Sequence, residues 1–279
     1  MGSASRVRRW AMVACIVLTC AEARSESRQF PWAEKADFTA REITARLFKA
    51  KAGERPDFSG RSLAYLDLAG VNFKGAALVA TDLYGTDLTG ATLKGADLSG
   101  SRLDRAVLIR ADLSGANLRG ATILRPTIYS NLAANLADAP RFAGADLSGI
   151  RVQAELSGAD FRGADLADAH FDPLEARPGQ GTLATAYRNV LKSCDFSGAR
   201  LPRADFTAAI LMFSRFTGAD LTGAKFIGAD LSLVDFSGAD LTGADFTDAD
   251  FDGAVLTGAK GLDTARGLDK ALNLDKARR

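Results

Sequence analysis

The sequence predicts a solenoid, a rod of stacked repeats, and three features of one repeated unit predict it. From Phe58 to Leu256 the chain repeats every five residues, in units such as Ala96-Asp97-Leu98-Ser99-Gly100. Leu or Phe occupies the centre of the unit, a small residue stands two positions before it, and Asp or Asn stands directly before it. Neither an α-helix nor a strand has a period of five. So regular a period predicts units that stack in one dimension.

The A-(D/N)-(L/F)-(S/T)-G motif resembles that of the pentapeptide-repeat family, and the resemblance covers about three quarters of the chain beyond residue 23. It implies an all-β fold, a right-handed quadrilateral parallel β-helix in which four pentapeptides, one to each side, make a coil. Positions twenty residues apart would then lie directly above one another. Glycine two positions after the centre suits a corner, and Asp or Asn before the centre can bond nearby backbone.

The central residues of the second array alternate between Phe and Leu. Positions twenty apart therefore keep the same residue, so we predict two ladders of Phe rings on opposite sides of the core. Coils about 4.8 Å apart would let each ring contact the rings above and below it. The expected ladder residues are Phe196, Phe206, Phe216, Phe226, Phe236 and Phe246, whereas Phe251 stands where the pattern expects Leu.

The same patterns divide the chain into six segments. We expect a signal peptide (1–23), an N-terminal segment with a capping helix (24–56), a first array (57–171, irregular at 129–156), an inserted loop (172–190), a second array (191–260) and a C-terminal cap (261–279).

Both ends of the solenoid are predicted to carry short helical caps. Thr39 and Glu42 have the spacing of a capping box, and Ile43, Leu47 and Phe48 follow at helical spacing. The segment 261–279 places Leu residues among charges and is the candidate cap at the other end. Caps are expected because an open end exposes apolar core and unpaired edges. A partner-binding helix is the alternative interpretation of either segment.

The first residues predict export. Arg6, Arg8 and Arg9 precede an apolar stretch, and Ala21-Glu22-Ala23 offers a cleavage site after Ala23. The apolar stretch is too short for a spanning helix, so no transmembrane helix is expected after cleavage, and the periplasm is the expected compartment. Val17-Leu18-Thr19-Cys20 also resembles a lipoprotein box, although Thr19 departs from its preferred small residues. Anchoring through a lipidated Cys20 is therefore the alternative.

The middle of the chain departs from the period. Ile128 and Phe142 are fourteen residues apart and Val152 and Leu156 are four apart, so two slips of register, with a bend or bulge, are expected. Residues 172–190 interrupt the motif, yet the flanking units stay in phase, which predicts an extruded loop. Loops often carry recognition in repeat proteins, so the candidate partner-binding residues are Arg177, Gln180, Tyr187 and Arg188. A tolerated surface insertion is the alternative.

The residues suggest no catalytic, cofactor or metal site. His170 stands where Asp is usual, Cys194 stands where Ala is usual, and the Asp residues are distributed over all four sides rather than gathered for calcium. Without residues 1–23 the chain is nearly neutral, and the series Asp195, Arg215, Asp235 alternates in sign at twenty-residue spacing.

Three hypotheses of function follow. The first is a non-enzymatic, exported scaffold or protein-interaction module with an unknown partner in the cell envelope and no nucleic-acid ligand. The second is a DNA mimic that inhibits DNA gyrase, the role best known in the family that the sequence resembles. The third is a carbohydrate-active β-helix enzyme, which rests on fold analogy alone. End-to-end homodimers, as in some members of that family, stay open.

Overall fold

The computed structural model describes residues 36–51, 53–130, 135–174 and 187–279. The chain divides into Met1–Glu34 and Lys35–Arg279, and the described residues all belong to the second unit. The predicted signal peptide and Cys20 therefore lie outside the described residues. The regular elements are helix α1 (Ala40–Lys49), strands β1 (Thr122–Leu124) and β2 (Arg151–Gln153), and 3-10 helices at Leu136–Asp138 and Leu274–Lys276.

The repeats wind as a four-sided parallel β-helix. The residue before a centre forms a single parallel bridge with its equivalent on the next coil, as Asp195 does with Arg215 and Arg215 with Asp235. Among the described residues, Thr127 and Glu155 on face 3 are an exception and are not bridged to each other. Only β1 and β2, which pair in parallel, extend to three residues. We number the faces by the first and last of their buried central residues: face 1 (Phe58, Leu241), face 2 (Leu63, Phe246), face 3 (Leu68, Phe251) and face 4 (Phe73, Leu256).

Hydrogen bonds between coils follow the unit. The Phe216 N–H donates to Asp235 O at 2.7 Å, and the Asp235 N–H donates back to Ser214 O at 3.0 Å. The Asp carboxylate closes the corner, since Asp235 Oδ1 accepts the Ser237 N–H at 2.9 Å. Each large central side chain and the small residue two before it is buried, so the interior is filled by one large side chain per side.

Phenylalanine rings form two ladders in the second half of the core. Successive rings stack at centroid distances of 4.6–5.3 Å in both ladders. The face 4 ladder contains Phe142, Phe161, Phe196, Phe216 and Phe236, and the face 2 ladder contains Phe171, Phe206, Phe226 and Phe246. Both ladders thus begin before Phe196.

The irregular middle consists of one loop and one short side. Bridge partners on successive coils are usually twenty residues apart, but Asp112 bridges Arg141. Nine extra residues are therefore inserted at the corner between faces 3 and 4. The feature expected there was a slip with a bend or bulge. The structure instead accommodates the extra residues as a loop within residues 129–140, of which 131–134 are not described, and the coils stay stacked because the bridges resume after it. The next coil is one residue short, since Arg141 bridges Asp160 nineteen residues later.

A second loop, residues 172–189, leaves the corner between faces 2 and 3. Asp165 bridges Arg200 and His170 bridges Asp205, so fifteen residues are inserted without loss of phase. Both loops therefore border face 3, one at each of its corners.

Helix α1 covers the first coil. The capping box of Thr39 and Glu42 is present, and Ile43 and Leu47 are buried. Its spacing predicted that Phe48 would be buried with them, but Phe48 is 87% exposed. Instead Phe38, which precedes the helix, packs edge to face on Phe58 with ring centroids 6.0 Å apart.

The C-terminal cap is not helical, apart from the single 3-10 turn at Leu274–Lys276, so that part of the predicted fold is wrong. Residues 260–278 form one more coil built from six-residue units, in which Arg266, Leu272 and Arg278 bridge the coil before. Leu262, Leu268 and Leu274 rest against the core. The backbone continues the parallel pairing because this gives hydrogen-bond partners to the N–H and C=O groups of the preceding coil, which a helix would leave without partners. For example, the Arg266 N–H donates to Ala244 O at 2.7 Å.

Candidate interaction face

Face 3 differs from the polar exterior of the other faces. Large apolar side chains that are exposed among the described residues gather on it or on the two loops beside it. Six of the nine such residues do so: Leu136, Leu174, Tyr187, Phe213, Leu233 and Leu272. The other three, Phe48, Tyr65 and Val79, lie on helix α1 and in the first coils. Exposed apolar groups that lie together, rather than singly, are typical of interaction sites.

The centre of this surface is an apolar cluster of five side chains, Val190, Ile210, Met212, Phe213 and Leu233. Val190 and Ile210 are half-buried bridge partners on successive coils. Phe213 and Leu233 occupy the same corner position one coil apart and are 55% and 49% exposed. A Cβ placed on Gly253, the next residue in this column, would lie 2.8 Å from Leu233 Cδ2, so the Leu side chain extends along the solenoid.

These corner positions make the cluster unusual. Phe213 and Leu233 have φ of 62° and 58°, in the left-handed region where most corners of this chain carry glycine. A bulky side chain there costs about 1–3 kcal/mol of backbone strain. The chain thus holds two large apolar groups, one coil apart, in strained positions that leave about half of each side chain in water. Tyr65, with φ of 61° and 54% exposure, is a comparable residue in the first coil.

Of the four candidate residues in the second loop, Arg177 and Gln180 lie outside the described residues. Tyr187 is 44% exposed at the end of the loop, three residues before Val190. Arg188 is held along the corner between faces 2 and 3, where its guanidinium donates to Ala208 O at 2.5 Å and to Gly228 O at 3.4 Å. Arg188 therefore ties the end of the loop to the next two coils, whereas Tyr187 forms no side-chain hydrogen bond with a described residue.

Asn189 fixes the point where the second loop rejoins the coil. It is fully buried, accepts the Ala154 N–H at 2.6 Å, and donates through Nδ2 to Phe171 O at 2.7 Å and Val152 O at 3.1 Å. These backbone groups lie beside the coil that is one residue short, so the Asn side chain supplies the missing hydrogen bonds. In the sequence, Asn189 is distinguished by an amide side chain two positions before a central Leu, where Ala is usual.

The first loop is fastened to the same face. The single Tyr129 O–H is shared between two acceptors, Glu155 Oε1 at 3.1 Å and Ser157 O at 3.1 Å. Burial and the adjacent Glu155 carboxylate raise the pKa of Tyr129, so the phenol stays a neutral donor. In the same loop Leu136, 48% exposed, lies against Gly158, where an added Cβ would be 3.0 Å from its side chain.

The apolar cluster has an acidic border. Asp230 and Asp250 are bridge partners on face 3, and neither forms an ion pair with another described residue. Some stacked charges elsewhere are of opposite sign, as in the pair Lys225–Asp205 at 3.0 Å, although other Asp residues also stack on Asp, as Asp160 does on Asp195. Face 3 therefore presents apolar groups next to uncompensated negative charge.

Among the described residues, Cys194 and His170 lie in different surroundings. Cys194 is buried, its Sγ donates to Leu156 O at 3.2 Å, and burial raises the pKa of its thiol. His170 is about half exposed, with Nδ1 3.5 Å from Asp172 Oδ1. Across the four described ranges, no group of three or more His, Cys, Asp or Glu residues is arranged to hold a metal ion. Nor does any helix in these ranges combine the length and apolar character needed to cross a bilayer.

A family model described as pentapeptide repeats matches the chain in 8 copies, over residues 57–90, 86–123, 141–172, 190–228 and 219–258, together more than half of its length. The chain belongs to the pentapeptide-repeat family. The unmatched stretches inside the repeats, 124–140 and 173–189, are nearly those of the two loops that border face 3.

Solved pentapeptide-repeat structures resemble this one. HetL, involved in heterocyst differentiation regulation in Nostoc sp. strain PCC 7120, is 25% identical, with 86% of this chain and 94% of HetL covered and a TM-score of 0.38. QnrB1, a plasmid-mediated fluoroquinolone resistance protein, is 18% identical, with 78% and 92% covered and a TM-score of 0.29. Rfr23 from Cyanothece 51142 is 23% identical, with 44% and 90% covered and a TM-score of 0.23. No curated protein sequence matches the chain.

Proposed function

We propose that this pentapeptide-repeat protein is a non-enzymatic, exported scaffold that binds a protein of the cell envelope through face 3. The observation that carries the proposal is the exposure of Phe213 and Leu233 at strained corners. Repeat coils tolerate small or polar residues there, and glycine would relieve the strain. Large apolar groups at such positions are explained by a partner that covers them.

The partner expected for this surface has a protruding apolar side chain flanked by basic residues. The apolar group would sit on Phe213 and Leu233, and Lys or Arg side chains would face Asp230 and Asp250. Binding energy in such interfaces concentrates in a few buried apolar anchors, while charged groups around them contribute orientation and rate. Tyr187 and Leu136, on the two loops that border face 3, extend this surface beyond the apolar cluster.

The rigidity of face 3 supports this role. Arg188, Asn189 and Tyr129 fasten the ends of both loops to the coils, so the apolar cluster is preformed before a partner arrives. A preorganised surface loses less conformational entropy on binding.

Export is the second part of the proposal and rests on the sequence of residues 1–23. We expect cleavage after Ala23 and residence in the periplasm, with a lipidated Cys20 as the anchored alternative. Fractionation of the host, with mass spectrometry of the mature N-terminus, tests this part. A chain that begins at Arg24 supports a soluble periplasmic protein, and a lipid on Cys20 supports a tethered one. An uncleaved chain in the cytoplasm would overturn export.

The interaction is tested by affinity recovery from envelope extracts with purified protein. We expect Phe213→Ser and Leu233→Ser each to reduce recovery of one protein at least tenfold. Truncation of a side chain that anchors an interface typically costs about 2 kcal/mol or more of binding free energy. Phe48→Ser is the matched control, since Phe48 is an exposed Phe far along the chain from face 3. Equal recovery by all variants would contradict the proposal, and recovery of a second copy of this chain alone would make face 3 a dimer interface instead.

The DNA-mimic hypothesis has less support in the geometry. It needs a continuous acidic side, whereas ion pairs such as Arg215–Asp195 at 3.8 Å and Lys225–Asp205 at 3.0 Å interrupt the stacked carboxylates.

A further inference from the structure

We propose that a basic pocket at the capped end of the solenoid binds a phosphate-bearing ligand. This pocket has a volume of about 570 Å³ and lies between the segment 50–55 and the corner that leaves face 4 in the first two coils. Its basic side chains are Lys51, Arg55, Lys74 and Lys94, and Glu54 is the one carboxylate among the residues that line it. This inference is independent of export and of face 3.

The wall of the pocket is a fixed turn that follows helix α1. The Lys51 N–H donates to Glu54 Oε2 at 2.7 Å, and the Glu54 N–H donates to Lys51 O at 3.0 Å. Lys74 Nζ donates to Ala50 O at 3.2 Å and so ties the first coil to this turn. Pro56 O then accepts the Ala77 N–H at 2.9 Å, where the chain enters the coils. The wall is thus held from both ends.

The positive charge in the pocket is poorly compensated. Lys94 pairs with Asp112 at 3.1 Å, but Lys51, Arg55 and Lys74 form no ion pair with any described residue. The Glu54 carboxylate already accepts a backbone hydrogen bond. A second pocket of about 400 Å³ shares Arg55 and adds Arg46 and Lys49. Three cations that have no ion pair with a described residue repel each other around one cavity, and a bound dianion relieves this repulsion.

Phosphate is the anion that this set of donors fits best. An arginine can bind two phosphate oxygens with its planar guanidinium, and lysines supply point charges around the same group. Gly75 and Gly95 also line the pocket, so no side chain from these two corners fills it. The volume is in the range of about 300–1,000 Å³ that is usual for small-molecule sites.

A phosphate group can reach this pocket as a free ion or as the headgroup of a lipid at a membrane surface. The probes are inorganic phosphate, measured by titration calorimetry, and phosphatidylglycerol vesicles compared with phosphatidylcholine vesicles, measured by co-sedimentation. Both use the full-length chain at low and at physiological salt. Binding of inorganic phosphate indicates the free ion, and binding of phosphatidylglycerol vesicles alone indicates the headgroup.

The variants Arg55→Gln and Lys51→Gln remove the charge and keep a polar, unbranched side chain. We expect each to weaken binding of the positive probe at least tenfold, with an unchanged thermal midpoint that shows the cap is intact. Arg125→Gln is the matched control, because Arg125 is exposed and free of ion pairs with described residues elsewhere on the solenoid. Absence of binding to both probes, or an equal loss in Arg125→Gln, would overturn the inference.

Discussion

Phe206 and Phe216 meet edge to face across the core, with ring centroids 6.0 Å apart and ring planes at 83°. Each ring also stacks along its own ladder, Phe216 on Phe196 at 4.6 Å and Phe206 on Phe226 at 5.3 Å. A ladder ring therefore combines stacked and edge-to-face contacts, both of which are favourable geometries for aromatic pairs. The second half of the solenoid is held together by rings that contact both the neighbouring coils and the opposite face.

Replacement of one ladder ring tests this arrangement. We expect Phe216→Ala to lower the free energy of unfolding by about 3–5 kcal/mol, because it leaves a cavity among four rings. Phe213→Ala, only three positions away but exposed, is the control and should change stability by about 0.5 kcal/mol or less. Chemical denaturation followed by circular dichroism measures both. Similar losses in the two variants would show that the rings are not the main support of this region.

Asn189 is expected to stabilise the return of the second loop. Asn189→Ala removes an acceptor and a donor that serve three buried backbone groups, and each unsatisfied group costs about 1–3 kcal/mol. The expected result is a lower denaturation midpoint and faster hydrogen exchange at Ala154 and Leu191. Asn117→Ala, at a half-exposed position before a central Leu, should have a much smaller effect. Unchanged exchange near Ala154 would contradict the assigned role.

The six-residue coil at the C-terminus depends on glycine where its backbone touches the coil before. A Cβ at Gly267 would overlap the backbone and side chain of Thr247, whereas Gly243 has a similar φ but open space around it. Both Ala substitutions strain the backbone, but only Gly267→Ala also creates a clash. We expect Gly267→Ala to release residues 261–279 to limited proteolysis and Gly243→Ala to leave them protected. Equal protection would mean that the coil can shift to accept the methyl group.

Low pH is expected to reduce the stability that the Asp carboxylates give to the corners of the coils. Hydrogen bonds from the side chain and backbone of Thr242 lower the pKa of Asp240, and Thr247 does the same for Asp245, where its hydroxyl has the largest effect. A carboxyl whose pKa is lowered in the folded state stabilises the fold above its unfolded pKa of about 3.9 and loses that contribution as the pH falls through the folded value. The urea midpoint should therefore fall below about pH 4.

The double variant Asp240→Asn and Asp245→Asn tests this cause. Asn can accept the same corner hydrogen bond, as Asn117 does from the Arg119 N–H at 3.1 Å, but it does not titrate. The variant should remain folded with a smaller change in midpoint between pH 6 and pH 3. An unchanged acid dependence would place its origin in other carboxyls.

Much of the fold could be predicted from the sequence, because few backbone arrangements fit a five-residue period with one large central residue. The alternation of Phe and Leu places rings on opposite faces, and the phase kept across residues 172–190 indicates a loop. The start of the ladders at Phe142 and Phe171 was not predicted because both loops shift the twenty-residue numbering. The C-terminal coil was missed because its period is six and its Leu residues also fit an amphipathic helix.

The candidate site was harder to predict for a physical reason. Phe213 and Leu233 stand at positions where this family usually carries glycine, so they look like ordinary breaks in the motif. Only the fold shows that they are neighbours at one corner and that both loops border the same face. Tyr187 was proposed from its position in the loop and stays a prediction, whereas the hydrogen bonds of Arg188 to Ala208 and Gly228 depend on contacts between coils that no local pattern encodes.

Photo-crosslinking in the native host tests the central claim most directly. A photoreactive residue at Met212 reports on the apolar cluster of face 3, and one at Thr222, an exposed position on face 1, is the control. We expect Met212 to yield one discrete adduct with an envelope protein, lost when Leu233→Ser is added, and Thr222 to yield none. No adduct from Met212, or the same adducts from both positions, would contradict an interaction face on this side of the solenoid.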